Sequence, residues 1–429
     1  MTKSNNWADH LRISAFDKQE KKETLQDGVT DEKINQRRFR ANKPYFPRSY
    51  YFNTEASRDG IRHFVHGLGD DNPLFTDETY AASTKYGGIV APGCYLYTIQ
   101  WVPPGAMMPG VHAWYAGGEW EWYRPIFSGD QFQSICIIRE LVEKKGRMTG
   151  GREIFIDYTD VVYINQKNEI VGKELQHTVL AGRNESKSAG KYRDLSKPVY
   201  IKKDWINILD QYADEEQKGK ATRYWEDVNI GDKLPPMIKG PLSVRDELAW
   251  IMGGGSPFFR AHKLQYQYEH RHPKALEYVD SEEADAPGDV PELVHVLNAF
   301  AKGIGVERIY DYGSQRMSWL CNFFTNWMGD DGFLWKMSGD LRAFNQAGDI
   351  TTFEGRVANK YVRDGRSCVD IEAWAKNQRN EWSMPPNIST VILSSREHGP
   401  VEYPEPSSEL VEEIKKARPL DEWIKKGLL

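Results

Sequence analysis

Two short segments of this 429-residue chain carry side chains that could move protons. The first segment, 69–77, contains Asp70, and the second, 288–295, contains Asp289 and His295. A carboxylate can orient and deprotonate a water molecule, and a histidine can accept or donate a proton near neutral pH. An aspartate and a histidine held together could therefore add water to a substrate or remove it.

The two segments occupy corresponding places in an internal repeat. At an offset of 219–220 residues, the twelve-residue segment 119–130 faces 338–349, and both end in Gly-Asp. At the same offset Gly93 faces Gly313. Such self-similarity predicts two copies of one domain, which we place at 45–181 and 223–395.

Only the second copy retains the histidine. Phe75 faces His295, and a phenyl ring cannot exchange a proton, so the first copy keeps at most half of the pair. Val290 faces Asp70, but Asp289 is its neighbour, and a slip of one residue in the loop restores an acid. We therefore expect Asp289 and His295 to work together.

Other interpretations of these residues stay open. His295 could be a buried structural histidine, and both Asp289 and Asp70 fit ordinary turn chemistry. A composite site could pair Asp70 with His295 across the two copies. A different frame places the start of the segment at 253–259, where Gly254 replaces the acid.

The elements that must position these residues follow from hydrophobic spacing. Helix-like stretches are predicted after Gly93 and after Gly313, each leading into runs rich in β-branched and aromatic residues. The predicted strands cover 132–139, 153–164, 171–179, 353–362 and 367–375. This order predicts an α+β fold in which an antiparallel sheet packs on a central helix in each copy.

The remaining segments connect or extend the two copies. Residues 1–44 form an N-terminal extension, 182–222 a polar linker with a short helix near 205–212, and 396–429 a tail with a helix at 408–417. Residues 260–287 form an insertion that the first copy lacks, and a lid over the substrate pocket is its expected role.

Composition excludes several classes of protein. The net charge of −6 argues against a nucleic-acid partner, and no apolar run approaches the ~20 residues that span a bilayer. Four separated cysteines with no CxxC pair argue against a zinc site and a disulfide framework. We expect a cytoplasmic protein without a metal, although His262, His270 and His272 cluster in the insertion.

Several motifs resemble those of MaoC-like acyl-CoA dehydratases, and the two copies resemble the double hot-dog form of that family. They are Asp70-x-Asn72-Pro73-Leu74, 88–93, Arg124-Pro125-Ile126 and Tyr310-Asp311-Tyr312-Gly313. The resemblance implies a hydratase or dehydratase acting on a 2-enoyl or 3-hydroxyacyl thioester of coenzyme A. The clustered aromatic residues favour a bulky or aromatic acyl group.

The resemblance also assigns roles to residues. Asp289 would position water, His295 would share its deprotonation, and the backbone N–H of Gly313 would polarise the thioester carbonyl, with Asp70 as the alternative acid. The residues expected to contact substrate are Phe75, Tyr312, Trp319 and Arg316, although a surface carboxylate is the competing partner for Arg316. No cofactor is implied, and a homo-oligomer is expected.

Two other functions remain open at this point. A thioesterase would attack the thioester carbonyl and not the double bond. In a non-catalytic acyl-binding subunit, the acid kept by the first copy and the histidine kept by the second would have no catalytic role.

Overall fold

The computed structural model describes residues 28–47, 52–101, 108, 111–145, 153–182, 195–272, 276–279 and 288–425. Its helices are α1 (Asp31–Phe39), α2 (Arg58–Leu68), α3 (Glu78–Ala82), α4 (Lys202–Ala213), α5 (Val244–Gly254), α6 (Lys263–Arg271), α7 (Asn298–Gly303), α8 (Gly313–Met328), α9 (Ser408–Ile414) and α10 (Leu420–Lys425). Its longer strands are β3 (Val111–Trp122), β5 (Phe132–Lys145), β6 (Glu153–Asn165), β7 (Ile170–Gly182), β11 (Phe333–Asp340), β12 (Thr351–Arg363), β13 (Arg366–Asn377) and β14 (Trp382–Ile392). Its short strands are β1 (Tyr45–Phe46), β2 (Val90–Ala91), β4 (Ile126–Phe127), β8 (Met237–Lys239), β9 (Glu277–Tyr278), β10 (Gly288–Asp289) and β15 (Arg418–Pro419).

One sheet of eleven strands runs through both copies, in the order β15-β1-β5-β6-β7-β3-β11-β14-β13-β12-β8. The copies meet where β3 pairs antiparallel with β11, from Glu121 opposite Lys336 to Gly117 opposite Asp340. A Cβ atom at Gly117 would lie 2.0 Å from the carbonyl oxygen of Gly339, so this junction requires glycine. The α+β class and the double hot-dog arrangement are confirmed, because the mainly antiparallel strands of the two copies join in one sheet.

The strands form where β-branched and aromatic residues alternate with polar ones. In β13 nearly every second residue is buried, which places one face of the strand against the core. All five predicted strands lie within observed ones, namely β5, β6, β7, β12 and β13.

The two central helices differ in length. In the second copy α8 runs for sixteen residues, and Met317, Leu320 and Phe324 are buried in the main core. In the first copy the predicted helix is wrong in extent, because only a 3-10 turn, Gly93–Thr98, forms there. Pro103 and Pro104 follow closely in the sequence, and proline cannot continue a helix.

The flanking segments also contain ordered elements. The helix predicted in the linker is α4, and the one predicted in the tail is α9. In the N-terminal extension Arg37 forms a buried ion pair with Asp157 of β6, its Nη2 lying 2.8 Å from Oδ1. Among the described residues, no helix combines the length and apolar character needed to cross a membrane.

One cluster of charges at the junction gives a prediction about stability. His177 of β7 lies 3.6 Å from Oε1 of Glu119 in the first copy and 3.8 Å from Oδ1 of Asp340 in the second. Burial lowers the pKa of His177, but the two nearby carboxylates outweigh it and raise the pKa to about 9. A histidine with a raised pKa adds stability below its unfolded value of about 6.5, and this contribution disappears as the pH rises to about 9.

We therefore expect His177→Gln to lower the free energy of unfolding at pH 6 and to have little effect at pH 9.5. The two carboxylate side chains are 59% and 36% exposed, so the effect should be at most about 1 kcal/mol. Denaturant titrations of both proteins at the two pH values measure it. Equal differences at pH 6 and pH 9.5 would contradict the assignment.

Candidate functional site

The principal cavity lies where the two copies meet and has a volume of about 210 Å³. Both copies contribute aromatic side chains to its wall: Trp101, Trp114 and Tyr115 from the first, and Tyr268, Tyr310 and Phe344 from the second. Phe258 and Tyr268 belong to the insertion or its immediate flank, so this segment covers part of the cavity. The wall is suited to a ring or another bulky apolar group.

The structure shows how the polar segment of the second copy is built. In the first copy α2 is followed by Gly69, which has a positive φ, and then by Asp70. In the second copy the equally long α5 is followed by Gly255, also with a positive φ, and then by Ser256. Ser256 therefore occupies the position of Asp70.

Matching hydrogen bonds support this correspondence. Oδ1 of Asp70 accepts from the backbone N–H of Asn72 at 3.0 Å. Oγ of Ser256 likewise accepts from the N–H two residues later, at Phe258, at 3.1 Å.

The second half of the segment resumes beyond the insertion. Asn72 begins the 3-10 turn Pro73–Phe75, and Val290 begins the corresponding turn Pro291–His295. Thirty-four positions separate Ser256 from Val290, against two between Asp70 and Asn72. The insertion thus lies between the acid position and the proline of this segment. For that reason no single offset aligns the whole segment with its counterpart in the first copy.

A carboxyl group still reaches the acid position, from Glu292. The hydroxyl of Ser256 donates a hydrogen bond to Oε2 of Glu292, and the side chain lines the cavity. Glu292 is only 6% exposed. Burial raises the pKa of Glu292 to about 7, although the Ser256 and Tyr312 hydroxyls act in the opposite direction. Glu292 can therefore hold or release a proton near neutral pH.

His295 lines the same cavity in a fixed orientation. Its Nδ1 lies 2.6 Å from the carbonyl oxygen of Tyr310, which can only accept, so Nδ1 carries the proton. The ring stacks on Tyr312 with centroids 3.7 Å apart. Burial lowers the pKa of His295 to about 4, although the Tyr310 carbonyl favours the charged form. At neutral pH, Nε2 is therefore an unprotonated base.

The N-terminus of α8 provides a hydrogen-bond donor at the cavity wall. Gly313 is the first residue of this helix and lines the cavity, and the backbone N–H groups of a first helical turn have no partner within the helix. Such groups, aided by the helix dipole, favour negative charge. A Cβ at position 313 would lie 2.5 Å from Cδ1 of Tyr115 and 2.9 Å from Cδ1 of Leu341, so only glycine fits.

Asp289 is not among the residues that line the cavity. It belongs to β10, and its Oδ1 accepts from the N–H of Val290 at 2.7 Å. The amide of Gln265, on helix α6 of the insertion, lies 3.5 Å from the same atom. Asp289 is therefore turned toward the insertion, and the structure brings Glu292, not Asp289, into the cavity with His295.

Three other residues of the second copy are expected from the sequence to contact substrate, namely Tyr312, Arg316 and Trp319. Of these, Tyr312 lines the cavity beside His295. Arg316 also borders it, but its guanidinium forms a buried ion pair with Asp311, with Nε 2.6 Å from Oδ2, and bonds to the carbonyl of Ala343 at 2.6 Å. Its partner is thus an internal carboxylate and not one on the surface. Trp319 is buried in the main core, away from the cavity.

The first copy has a smaller cavity of about 70 Å³ at the corresponding place. Phe75 and Gly93 line it, where the principal cavity has His295 and Gly313. Asp70 is 3% exposed and outside this lining, and burial raises the pKa of Asp70 to about 6. This cavity lacks a histidine and presents Leu74 after its proline, where the second copy has Glu292.

Sequence reasoning missed Glu292 and Ser256. The sequence allows two alignments of this segment with the first copy, one that includes Gly255 and one that includes Pro291. Each alignment matches one half of the segment, because the insertion separates the two halves. Within the described residues, no group of three or more His, Cys, Asp or Glu side chains is arranged to hold a metal ion.

Comparison with known proteins gives matches in sequence and in fold. Residues 50–174 match the family model of the FAS1-like dehydratase domain region. A 3-hydroxybutyryl-CoA dehydratase of Methylorubrum extorquens is 26% identical over 121 residues, which is 27% of this chain and 77% of that protein.

Solved structures match over a longer span. One described as a MaoC-like dehydratase has a TM-score of 0.53 and 17% identity, and the match covers 83% of this chain and 98% of that one. A Mycobacterium tuberculosis protein described as having a double hot-dog fold has a TM-score of 0.40 and 11% identity, covering 82% of this chain and 96% of that one.

Proposed function

We propose that this chain, a double hot-dog protein of the MaoC-like dehydratase family, adds water to or removes it from a 2-enoyl or 3-hydroxyacyl thioester of coenzyme A. The observation that carries the proposal is one cavity lined by a buried carboxyl group, an imidazole held by its Nδ1, and a helix N-terminus, contributed by Glu292, His295 and Gly313. The aromatic wall supports an aromatic or otherwise bulky acyl group.

In the hydration direction, Nε2 of His295 accepts a proton from water as the water oxygen bonds to C3 of the enoyl group. Protonated Glu292 delivers its proton to C2. The N–H of Gly313 holds the thioester oxygen, on which negative charge develops during the addition. The addition leaves His295 protonated and Glu292 ionised, and return of a proton from His295 to Glu292 restores the starting state.

Each group has the protonation state that its task requires. Addition needs His295 neutral and Glu292 protonated together, and the pKa values of about 4 and about 7 leave that combination populated between them. Removal of water uses the same groups in reverse: Glu292 takes the proton from C2, and His295 protonates the departing hydroxyl.

A pair of thioesters of different bulk tests the reaction. We expect both crotonyl-CoA and cinnamoyl-CoA to lose their enoyl absorbance without release of free thiol, with higher kcat/KM for cinnamoyl-CoA. Release of thiol at the rate of absorbance loss would identify a thioesterase. Binding of both thioesters without loss of absorbance would identify an acyl-binding protein.

The role of Gly313 gives a prediction about rate. Gly313→Ala places a methyl group within 2.5 Å of Tyr115, so the start of α8 must shift and the N–H must move from the thioester oxygen. We expect kcat to fall about tenfold or more, with KM changed less, because this bond strengthens in the transition state.

The matched control is Gly88→Ala, since a Cβ there meets no atom within 4 Å. This variant should keep kcat within about twofold, because an open site adds no contact. Equal activity in both variants would contradict the role assigned to Gly313.

A further inference from the structure

We propose that Tyr115, which belongs to the first copy, positions the Gly313 amide of the second copy, and that the buried carboxyl group of Glu174 holds Tyr115 in place. This inference rests on the proposed function, because it concerns the donor that binds the thioester oxygen. It makes the first copy a working part of the site in addition to a wall of the cavity.

The contact between Tyr115 and Gly313 is tight. The ring of Tyr115 occupies the space that a side chain at Gly313 would need, with Cδ1 2.5 Å from the ideal Cβ position. Tyr115 also lies beside an irregularity in β3, where the pairing with β7 shifts between Tyr115 and Gly117. Bulges of this kind redirect side chains near functional sites. The intervening carbonyl of Ala116 accepts from the N–H of Leu341 at 2.8 Å, so the backbone here is fixed to the second copy.

Glu174 anchors the other end of Tyr115. Its side chain is fully buried on β7, and one carboxyl oxygen accepts hydrogen bonds from the hydroxyls of Tyr97, at 2.7 Å, and of Tyr115. The other oxygen accepts from the amide of Gln176 at 2.6 Å. A buried carboxyl group that accepts from three donors holds those donors in one arrangement. The tyrosine ring is therefore fixed at its hydroxyl and pressed against Gly313.

The internal repeat supplies an independent comparison. Leu334 lies 219 residues after Tyr115 and lines the small cavity of the first copy, as Tyr115 lines the principal one. At this position of the repeat, therefore, each copy contributes a side chain to the wall of the other copy's cavity. The cavity with Phe75 receives leucine, whereas the cavity with His295 receives an anchored tyrosine.

Tyr97 provides the comparison variant: its hydroxyl bonds to the same oxygen of Glu174 and lies 2.9 Å from the hydroxyl of Tyr115, but Tyr97 does not line the cavity, and its loss leaves the bond from Tyr115 to Glu174 in place. Tyr97→Phe and Tyr115→Phe each remove one hydroxyl from the buried carboxyl group. We expect kcat for hydration to stay within about twofold in Tyr97→Phe and to fall about tenfold in Tyr115→Phe, with KM changed less than threefold. Tyr115→Leu removes the ring as well and should lower kcat about a hundredfold, as displacement of a catalytic group by about 1 Å can do.

A double-mutant cycle tests the contact itself. Gly313→Ala should cost less in the Tyr115→Leu background than in the wild type, because the methyl group no longer meets the tyrosine ring. Equal losses of kcat in Tyr97→Phe and Tyr115→Phe, or additive effects in the cycle, would overturn the proposal and leave the proposed function standing. A wild-type protein that hydrates no enoyl thioester would refute both. If Tyr115→Leu does not fold, the two phenylalanine variants decide the question alone.

Discussion

Replacing His295 with phenylalanine should abolish most of the hydration activity while leaving the fold intact. We expect kcat to fall about a thousandfold, because the proposed base that shares the cavity with Glu292 is lost. The substitution introduces the residue that the first copy carries at Phe75, and a phenyl ring can keep the stacking on Tyr312. Initial rates with cinnamoyl-CoA and a circular dichroism spectrum of each protein measure the two parts of this expectation.

The reciprocal change is its control. Phe75→His in the first copy should not restore activity to the His295→Phe protein, because the cavity there is only about 70 Å³ and leucine follows its proline, where the second copy has Glu292. If His295→Phe keeps more than one tenth of the wild-type activity, or if Phe75→His restores activity to it, His295 is not the base of the reaction.

The second large effect is expected at Glu292. Glu292→Gln keeps the size of the side chain and can keep a hydrogen bond with Ser256, but it has no proton to deliver to C2. We expect kcat for hydration to fall between about a hundredfold and a thousandfold, with KM changed much less, since general acid catalysis contributes about that factor. Stopped-flow or steady-state absorbance measurements at pH 6 suffice.

Asp289→Asn and Asp70→Asn are the matched controls, because each removes a carboxylate that the sequence placed near the reaction. Asp289 faces α6 and Asp70 is buried in the first copy, so both variants should keep kcat within about threefold. If kcat falls a hundredfold in Asp289→Asn and only slightly in Glu292→Gln, Asp289 and not Glu292 is the acid of the reaction. A comparable loss in Asp70→Asn would favour a composite site.

Much of the fold follows from local patterns in the sequence. Alternating apolar residues marked β5, β6, β7, β12 and β13, and the repeat offset placed Gly313 at the start of α8. The junction of β3 with β11 could not be found in this way. It depends on the close approach of two backbones at Gly117, and long-range strand pairing leaves no spacing signal in a single sequence.

The candidate site was only partly predictable for a similar reason. His295, Tyr312 and Gly313 lie beyond the insertion and keep the repeat offset, so alignment of the copies located them. The acid position lies before the insertion, where the offset differs. Ser256 replaced the aspartate there, and the carboxyl group moved to Glu292, whose role depends on a hydrogen bond across 36 positions of the chain. Spacing within one segment therefore favoured Asp289, which folds toward the insertion.

The partner of Arg316 could not be predicted from the sequence, because it depends on which side chains are buried together. An arginine after a helix start is a reasonable substrate contact on sequence grounds, but Asp311, five residues earlier, accepts hydrogen bonds from its Nε and Nη2 inside the protein. The ion pair ties the segment before α8 to the helix itself. Its effect on the site is to hold Tyr312 and Gly313 in place.

The role of Glu292 as the proton donor is tested by the pH dependence of kcat/KM for hydration, measured for the wild type and for Glu292→Gln. Because the free enzyme needs protonated Glu292, we predict that kcat/KM of the wild type falls as the pH rises through about 7, and that it also falls in acid near pH 4 as His295 becomes protonated. In Glu292→Gln the fall near pH 7 should be absent from the remaining activity. A wild-type profile that stays level from pH 6 to pH 9, or a fall near pH 7 that persists in Glu292→Gln, would show that Glu292 does not supply the proton.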